Sequence, residues 1–469
     1  RSYAVSLRPT MDDYTLQRML NVLDIDTNAY DAGLLESGIA GISTDSRSIR
    51  KGEVLFAIRG DKFDGIDYVD DAYRSGALFS IVNGDSAKEK RLTSPHGAVK
   101  DSVKALGEVA ADYRSMFDGT VVAVTGTNGK TTVKEMLLKV LGAHFSVHGT
   151  KGNFNNHIGL PLSVFGLEKK YDCAVFELGM NAPGEIAYLG EIAKPDIGVV
   201  LNAGAGHIGF FNSVEEIADA KMELLDSIKA GGVAVVNGDD ELLRPRAERA
   251  HTRVVTFGIH GDYDYKAENI VLREDGCASF TIEGNKVNLV IQGIHNVYNA
   301  LAAYAVGGIL EMDGVTIARE LKRVNAPKMR MERFMRDGIH YVNDTYNANP
   351  VSMKVAAEVI RFMHNERKIA VLGDMLELGD EAIELHEEIG EHYGGLGLEL
   401  LCLIGEYAEV YKYSAVKGGM SPGKIKIFPD TASAADFING IKQTGDVIFA
   451  KGSRALKLEH VIDAVSEDN

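Results

Sequence analysis

One run, Val124-Thr-Gly-Thr-Asn-Gly-Lys-Thr-Thr132, constrains the fold of this chain more than any other. It follows an apolar, β-branched segment, Thr120-Val-Val-Ala-Val-Thr125, and leads into Val133–Leu141, which is helical in pattern. Gly126 and Gly129 let the backbone turn tightly and aim N–H groups inward. The new helix presents its positive end to the same point, so the turn is suited to phosphate. Lys130 can reach the outer phosphates, and the Thr131 or Thr132 hydroxyl can hold Mg²⁺. The loop is one of the shorter variants, with Val124 where the first glycine usually stands.

The 469 residues are too many for one ordinary core, and three textures divide them. Residues 1–115 mix short strands and turns and end in a helical stretch, Ser102 to Ser115. Residues 116–325 carry apolar runs at Thr120–Thr125, Cys173–Phe176, Ile197–Leu201, Val233–Val236 and Val254–Phe257. Runs of this length, separated by helix-length segments, predict parallel strands covered on both faces. Tyr265 to Ile291 alternates more and reads as an antiparallel edge; Asn296 to Leu310 reads as a helix. Residues 326–469 repeat the α/β rhythm at His340–Val342, Ile369–Leu372, Leu401–Ile404, Ile425–Phe428 and Val447–Ala450. Gly395 and Gly397 lack the third glycine of a dinucleotide fingerprint, which argues against a nicotinamide cofactor.

Composition narrows the partners. Fifty Lys and Arg against 67 Asp and Glu give a net charge of −17, so no global attraction to nucleic acid is expected. Cys173, Cys277 and Cys402 are odd in number and far apart, which suggests neither a disulfide framework nor a thiolate zinc site. Cys173 and Cys402 sit in apolar runs and read as core. No apolar run is long enough to span a membrane, and no charged-then-apolar leader opens the sequence, so the expectation is a cytoplasmic protein.

Several polar residues fall where ligands gather in parallel sheets, beyond the carboxyl ends of strands. Glu177 ends one such run and is a natural Mg²⁺ ligand, because Mg²⁺ prefers hard oxygen donors. His207 follows another, in Asn202-Ala-Gly-Ala-Gly-His207. Asn153, Asn155 and Asn156 form a dense polar cluster that suits either a turn or ligand hydrogen bonds. Asn343-Asp-Thr-Tyr-Asn-Ala-Asn-Pro350 can bring Asp344 and Asn347 to a cleft, and Lys451-Gly-Ser-Arg454 can bind a carboxylate or phosphate. Lys221, on a helical segment, reads by itself as a solvated lysine.

These segments, with Ser43-Thr-Asp-Ser-Arg47, Ile158-Gly-Leu-Pro161, Glu177 to Gly184, His295 to Ala302 and Gly373-Asp-Met-Leu-Glu-Leu-Gly379, resemble the Mur ligase family of ATP-dependent amide ligases over nearly the whole chain. The resemblance implies an α/β protein of three domains: a small mixed α/β N-terminal domain for the UDP end of the substrate, a central P-loop-type mononucleotide-binding domain, and a C-terminal Rossmann-like domain. Glu177 to Gly184, Asp344 to Pro350 and Gly373 to Gly379 point to the branch that joins D-alanyl-D-alanine to UDP-N-acetylmuramoyl-tripeptide. ATP and Mg²⁺ are the implied cofactors, and a monomer the implied state. By motif match, Gly126, Thr127, Asn128, Gly129, Lys130, Thr131, Thr132, Asn296, Arg330 and Asp344 attend the nucleotide. Thr131, Glu177, His207 and Lys221 attend the metal, and Lys130, Lys221 and His207 the catalysis. Ser46, Arg47, Asn153, Asn155, Asn156, Asn347, Lys451, Ser453 and Arg454 attend the substrates. The match for Lys221 is a lysine often carried as a carbamate, which replaces the solvated reading.

Two departures stand out: Met329 occupies a place where glycine is expected, and Ala205 one where proline is usual. Water would destroy an acyl phosphate, so the C-terminal domain is expected to swing in through flexible joints near 115 and 325. The rival readings are a sister ligase adding one amino acid, a folylpolyglutamate synthetase, a non-catalytic nucleotide-binding scaffold, and a GTPase. The last needs Asn-Lys-x-Asp, and Asn285-Lys-Val-Asn288 lacks the acid.

Overall fold

The computed structural model describes residues 11, 13–60, 63–206, 208–363 and 367–467. Their strands form four sheets. The first is parallel, in the order Gly41–Ser43, Glu53–Phe56, Phe79–Asn83, His96–Val99. The helix Ser102–Arg114 leaves it and packs against helices Gly159–Val164 and Glu185–Ala193 beneath the second sheet.

The second sheet has seven parallel strands, ordered Tyr265–Lys266, Arg253–Gly258, Val233–Asn237, Ile197–Val200, Thr120–Thr125, Cys173–Glu177, Val147–Gly149. Its apolar runs are continuous because each face has its own core. Val121 and Ala123 join one buried cluster, while Val122 and Val124 join the other. Successive strands are laid to opposite sides of Thr120–Thr125, which opens a crevice at its carboxyl end.

The stretch read as an antiparallel edge divides instead. Tyr265–Lys266 pairs parallel with Arg253–Gly258. Glu268–Leu272, Cys277–Ile282 and Asn285–Gln292 make a separate antiparallel sheet. Its alternation buries one face: Phe280, Ile282, Val287 and Leu289 pack with Val297, Leu301 and Ile317 of the following helices. The Asn-Lys-x-Asn run therefore opens a strand of this sheet.

The fourth sheet runs Glu332–Arg336, Ile339–Asp344, Asp446–Lys451, Arg367–Gly373, Leu400–Ile404, Ile425–Phe428, parallel except for the first strand. Cys173, Cys277 and Cys402 are all free thiols in the core. Among the described residues no helix is long and apolar enough to cross a membrane.

The joint expected near 115 is a packed junction. Arg114 is buried, and its guanidinium donates to the carbonyls of Ala193, Phe117 and Lys194 at 2.8, 2.9 and 3.1 Å. Tyr113 adds a bond to the Leu167 carbonyl at 2.7 Å.

Candidate active site

The glycine loop leaves strand Thr120–Thr125 and enters helix Lys130–Leu141. Gly129, at φ +87°, lies in the left-handed region that glycine adopts without strain, and a Cβ there would collide with Asn299 Oδ1. Within the loop, the Thr127 N–H donates to the Asn202 carbonyl at 3.0 Å and the Asn128 N–H to Asn202 Oδ1 at 2.8 Å. The inward N–H groups are thus those of the helix's first turn, whose first internal bond is from Val133 N–H to the Gly129 carbonyl. Lys130 folds back over the loop, its ammonium donating to the carbonyls of Gly126 at 2.7 Å and Thr127 at 3.2 Å. Burial lowers its pKa; Glu177 opposes that shift and Arg330 adds to it.

Glu177 ends the neighbouring strand, in register with Val124, which sets it beside the loop. It is only 2% exposed. Its Oε2 accepts from the Thr131 hydroxyl and its Oε1 from the Asn155 amide, both at 2.8 Å. No ion pair to it occurs among the described residues. A buried carboxylate held by neutral donors, with a threonine hydroxyl and helix N–H groups beside it, fits a hard cation bridging to phosphate.

Lys221, on helix Val214–Met222, is 3% exposed, and its ammonium makes no hydrogen bond among the described residues. Burial, with Lys130 secondary, pushes its pKa well below the usual lysine value, so the side chain is driven toward the neutral amine. His207 lies outside the described residues.

A cavity of about 980 Å³ joins these groups to residues beyond 325. Thr127, Asn128, Gly129, Lys130, Thr132, Glu177 and Lys221 line one side; Arg330, Asp344, Asn347 and Lys451 line the other. Asn153, Asn155 and Asn156 border it as well. Asn156 Oδ1 accepts the Ile158 and Gly159 N–H groups, while the Asn153 side chain stays exposed. Asn296 reaches the loop indirectly: Asn299 donates to its Oδ1 at 2.8 Å and abuts Gly129. Arg330 stacks on Tyr346, 4.0 Å from guanidinium carbon to ring centroid. Met329, where glycine was expected, adopts φ +58° and keeps the left-handed turn.

Other expected residues stand elsewhere. Ser453 does not line the cavity; its hydroxyl accepts the Leu376 N–H at 2.9 Å and holds the segment Gly373 to Gly379. Arg454 is exposed and pairs with Glu459 at 2.7 Å. Ser46 and Arg47 lie in the first sheet's loops, where Arg47 forks onto Asp45, and neither lines the cavity. Two residues not singled out beforehand belong to the site. Asn202 clamps Asn128, and its place just beyond a strand's carboxyl end was a usable signal. Asn349 touches the loop from the far side of the cavity; the Asn-Pro step that caps its helix was its signal.

A doubly covered parallel sheet whose phosphate-binding loop and strand-end carboxylate share one cavity with a desolvated helical lysine defines a nucleotide-binding α/β protein. The chain belongs to the Mur ligase family: residues 38–114 match its catalytic domain, 124–307 its middle domain and 329–454 its glutamate ligase domain. It is 35% identical to the UDP-N-acetylmuramoyl-tripeptide–D-alanyl-D-alanine ligase of Bacillus subtilis, across 92% of this chain and 93% of that protein. The crystal structure of MurF from Acinetobacter baumannii superposes with a TM-score of 0.86 at 30% identity, covering 97% of this chain and 99% of that one. MurF ligase from Thermotoga maritima in complex with ADP gives 0.78 at 32% identity, with 91% and 97% covered.

Proposed function

We propose that this chain joins the terminal carboxylate of UDP-N-acetylmuramoyl-tripeptide to the amine of D-alanyl-D-alanine, splitting ATP to ADP and phosphate. The product is a pentapeptide precursor of peptidoglycan, made in the cytoplasm by a monomer. The observation that carries this reading is the buried Glu177, with no ion pair among the described residues, beside Lys130 and Lys221 at the mouth of the phosphate loop. Whole-length similarity to ligases of that name supports the choice of substrates.

A carboxylate is a poor electrophile. Transfer of the γ-phosphoryl group to its oxygen makes an acyl phosphate with a good leaving group. The amine then bonds the carbonyl carbon through a tetrahedral oxyanion, and phosphate departs. The first-turn N–H groups and Lys130 stabilise charge on the transferred group, and phosphoryl transfer depends on such positioning. Gly126, Thr127, Asn128, Gly129, Thr132, Asn296, Arg330 and Asp344 complete the nucleotide site. Glu177, Thr131, His207 and a carbamylated Lys221 would hold Mg²⁺, which when bound neutralises phosphate charge. The neutral amine favoured at Lys221 bonds the carbon of CO₂ and releases a proton, turning a cation site into an oxygen ligand. Asn153, Asn155, Asn156, Asn347 and Lys451 face the reacting ends of the substrates from the cavity wall. Ser46 and Arg47 serve the UDP end, and Ser453 and Arg454 support the dipeptide side.

The test is a panel of amine acceptors offered one at a time with the tripeptide substrate, reading ADP. Turnover with D-alanyl-D-alanine and little with single L-amino acids or with folate plus glutamate is expected. Preference for a single amino acid would move the chain to a sister activity.

A further inference from the structure

We infer that Asn349 is a positioning residue that makes the seating of the C-terminal segment depend on the phosphate loop. This inference rests on the ligase reading above. Asn349 caps helix Pro350–Arg361, its Oδ1 accepting the Ser352 N–H at 2.9 Å while the Ser352 hydroxyl accepts its own N–H at 3.0 Å. That leaves its amide Nδ2, which donates to Asn128 Oδ1 at 3.0 Å. Among the described residues this is the one side-chain hydrogen bond from beyond residue 325 to the loop 126–132.

The loop end of that bond is rigid. Asn202 accepts the Asn128 N–H at 2.8 Å and donates to the Asn128 carbonyl at 3.1 Å, so Asn128 has only its side chain to offer. The surroundings are tight: a Cβ on Gly206 would stand 2.6 Å from Thr127 Cγ2 and 3.3 Å from Asn349 Nδ2. A second contact lies nearby, where the Gly209 N–H donates to the Glu377 carbonyl at 3.0 Å. A Cβ on Gly209 would come within 2.6 Å of Gly379 N. The Asn349 amide therefore reaches the loop that grips the nucleotide only when the two segments sit together as seen here.

The chemistry makes this seating consequential. The acid is activated at the central sheet, and the amine must arrive before water does. If the C-terminal segment is not seated, the oxygen of water bonds the acyl carbon, the carbon–oxygen bond to phosphate breaks, and free acid and inorganic phosphate leave. ATP is then consumed without an amide bond forming.

The test is Asn349→Ser, which retains a good helix N-cap but is too short to reach Asn128. Inorganic phosphate and amide product are measured together with ATP, the tripeptide substrate and D-alanyl-D-alanine. The parent should give one phosphate per amide. The variant should form amide about fivefold more slowly, the scale of one net hydrogen bond, with the phosphate-to-amide ratio raised. Asn128→Ala removes the same bond from the other end and should raise the ratio too, and the double variant should be no more uncoupled than the worse single one. An unchanged ratio in both single variants overturns the inference, as does a fall in rate with a parallel rise in the KM for ATP and no uncoupling. If the parent makes no amide, the ligase reading itself fails and the inference falls with it; a coupled parent separates the two.

Discussion

Lys451 Nζ stands 2.7 Å from Asp344 Oδ2, joining two residues that are register partners on adjacent strands of the fourth sheet. Lys451 also donates to the Asn347 carbonyl at 3.0 Å, and the other Asp344 oxygen accepts the Met331 N–H at 3.0 Å. The pair thus fixes the segment that carries Arg330 and the turn that carries Asn347 against one sheet edge. Lys451→Met should cost about 3–5 kcal/mol of stability, because Asp344 would be left buried and unpaired. The double change Asp344→Asn with Lys451→Met should cost less than the single one. Urea denaturation of the parent, the single and the double variant checks this, and a double variant no more stable than the single one would contradict it.

Lys221 separates stability from activity. Its lowered pKa means that the folded chain binds less proton at this site than the unfolded chain below the ordinary lysine value of 10.5. Burial therefore costs stability at neutral pH, and the cost shrinks as pH rises toward that value. Lys221→Met should be at least as stable as the parent at neutral pH, yet lose about 10²-fold or more in kcat. The parent should lose activity in CO₂-free buffer and regain it with bicarbonate. Activity indifferent to bicarbonate, with an unmodified lysine in the native mass, would remove the carbamate.

His295 supplies a pH signature. Burial, with the Lys451 charge secondary, lowers its imidazole to about 4. The unfolded chain takes up this proton near 6.5, the folded chain only near 4. Between those values the unfolded state binds more protons, so stability falls as pH falls. Stability–pH curves should be flatter over that interval for His295→Gln than for the parent; identical slopes would assign the effect to other groups.

Gly129→Ala should weaken nucleotide binding by about tenfold or more. The left-handed backbone at this position costs an L-residue about 1–2 kcal/mol, and the added methyl would displace Asn299 from beside the loop. Calorimetric titration with ADP reads the loss. Parent-like affinity would show that the loop tolerates another shape.

Much of this architecture is written locally. The apolar runs became strands because alternate residues such as Val121 and Val122 enter different cores, which demands apolar side chains at every position. Strand Glu332–Arg336 carries no such signal because it is a mostly exposed antiparallel edge with no such demand. The glycine loop and Glu177 were readable because their chemistry sits within a few residues of strand ends. Lys221 read as solvated by itself, although Ile217, four residues earlier on the same helix face, is fully buried. Asn349 and Asn128 lie 221 residues apart, and no local pattern announces such a bond. Ser453 and Lys451 share one motif, yet a register pair draws Lys451 to the cavity while the Leu376 N–H claims Ser453.

Phosphoryl transfer from a nucleotide held at Lys130 to the acceptor's carboxylate is the central step of the proposed chemistry. The most direct measurement uses a tripeptide substrate whose terminal carboxylate is enriched in heavy oxygen, followed by mass analysis of the inorganic phosphate released. One heavy oxygen per phosphate is the expected result, because the carboxylate oxygen leaves with the phosphoryl group when the amine displaces it. Phosphate without label, released while the amide product accumulates, would contradict an acyl phosphate and with it the chemistry assigned to this site.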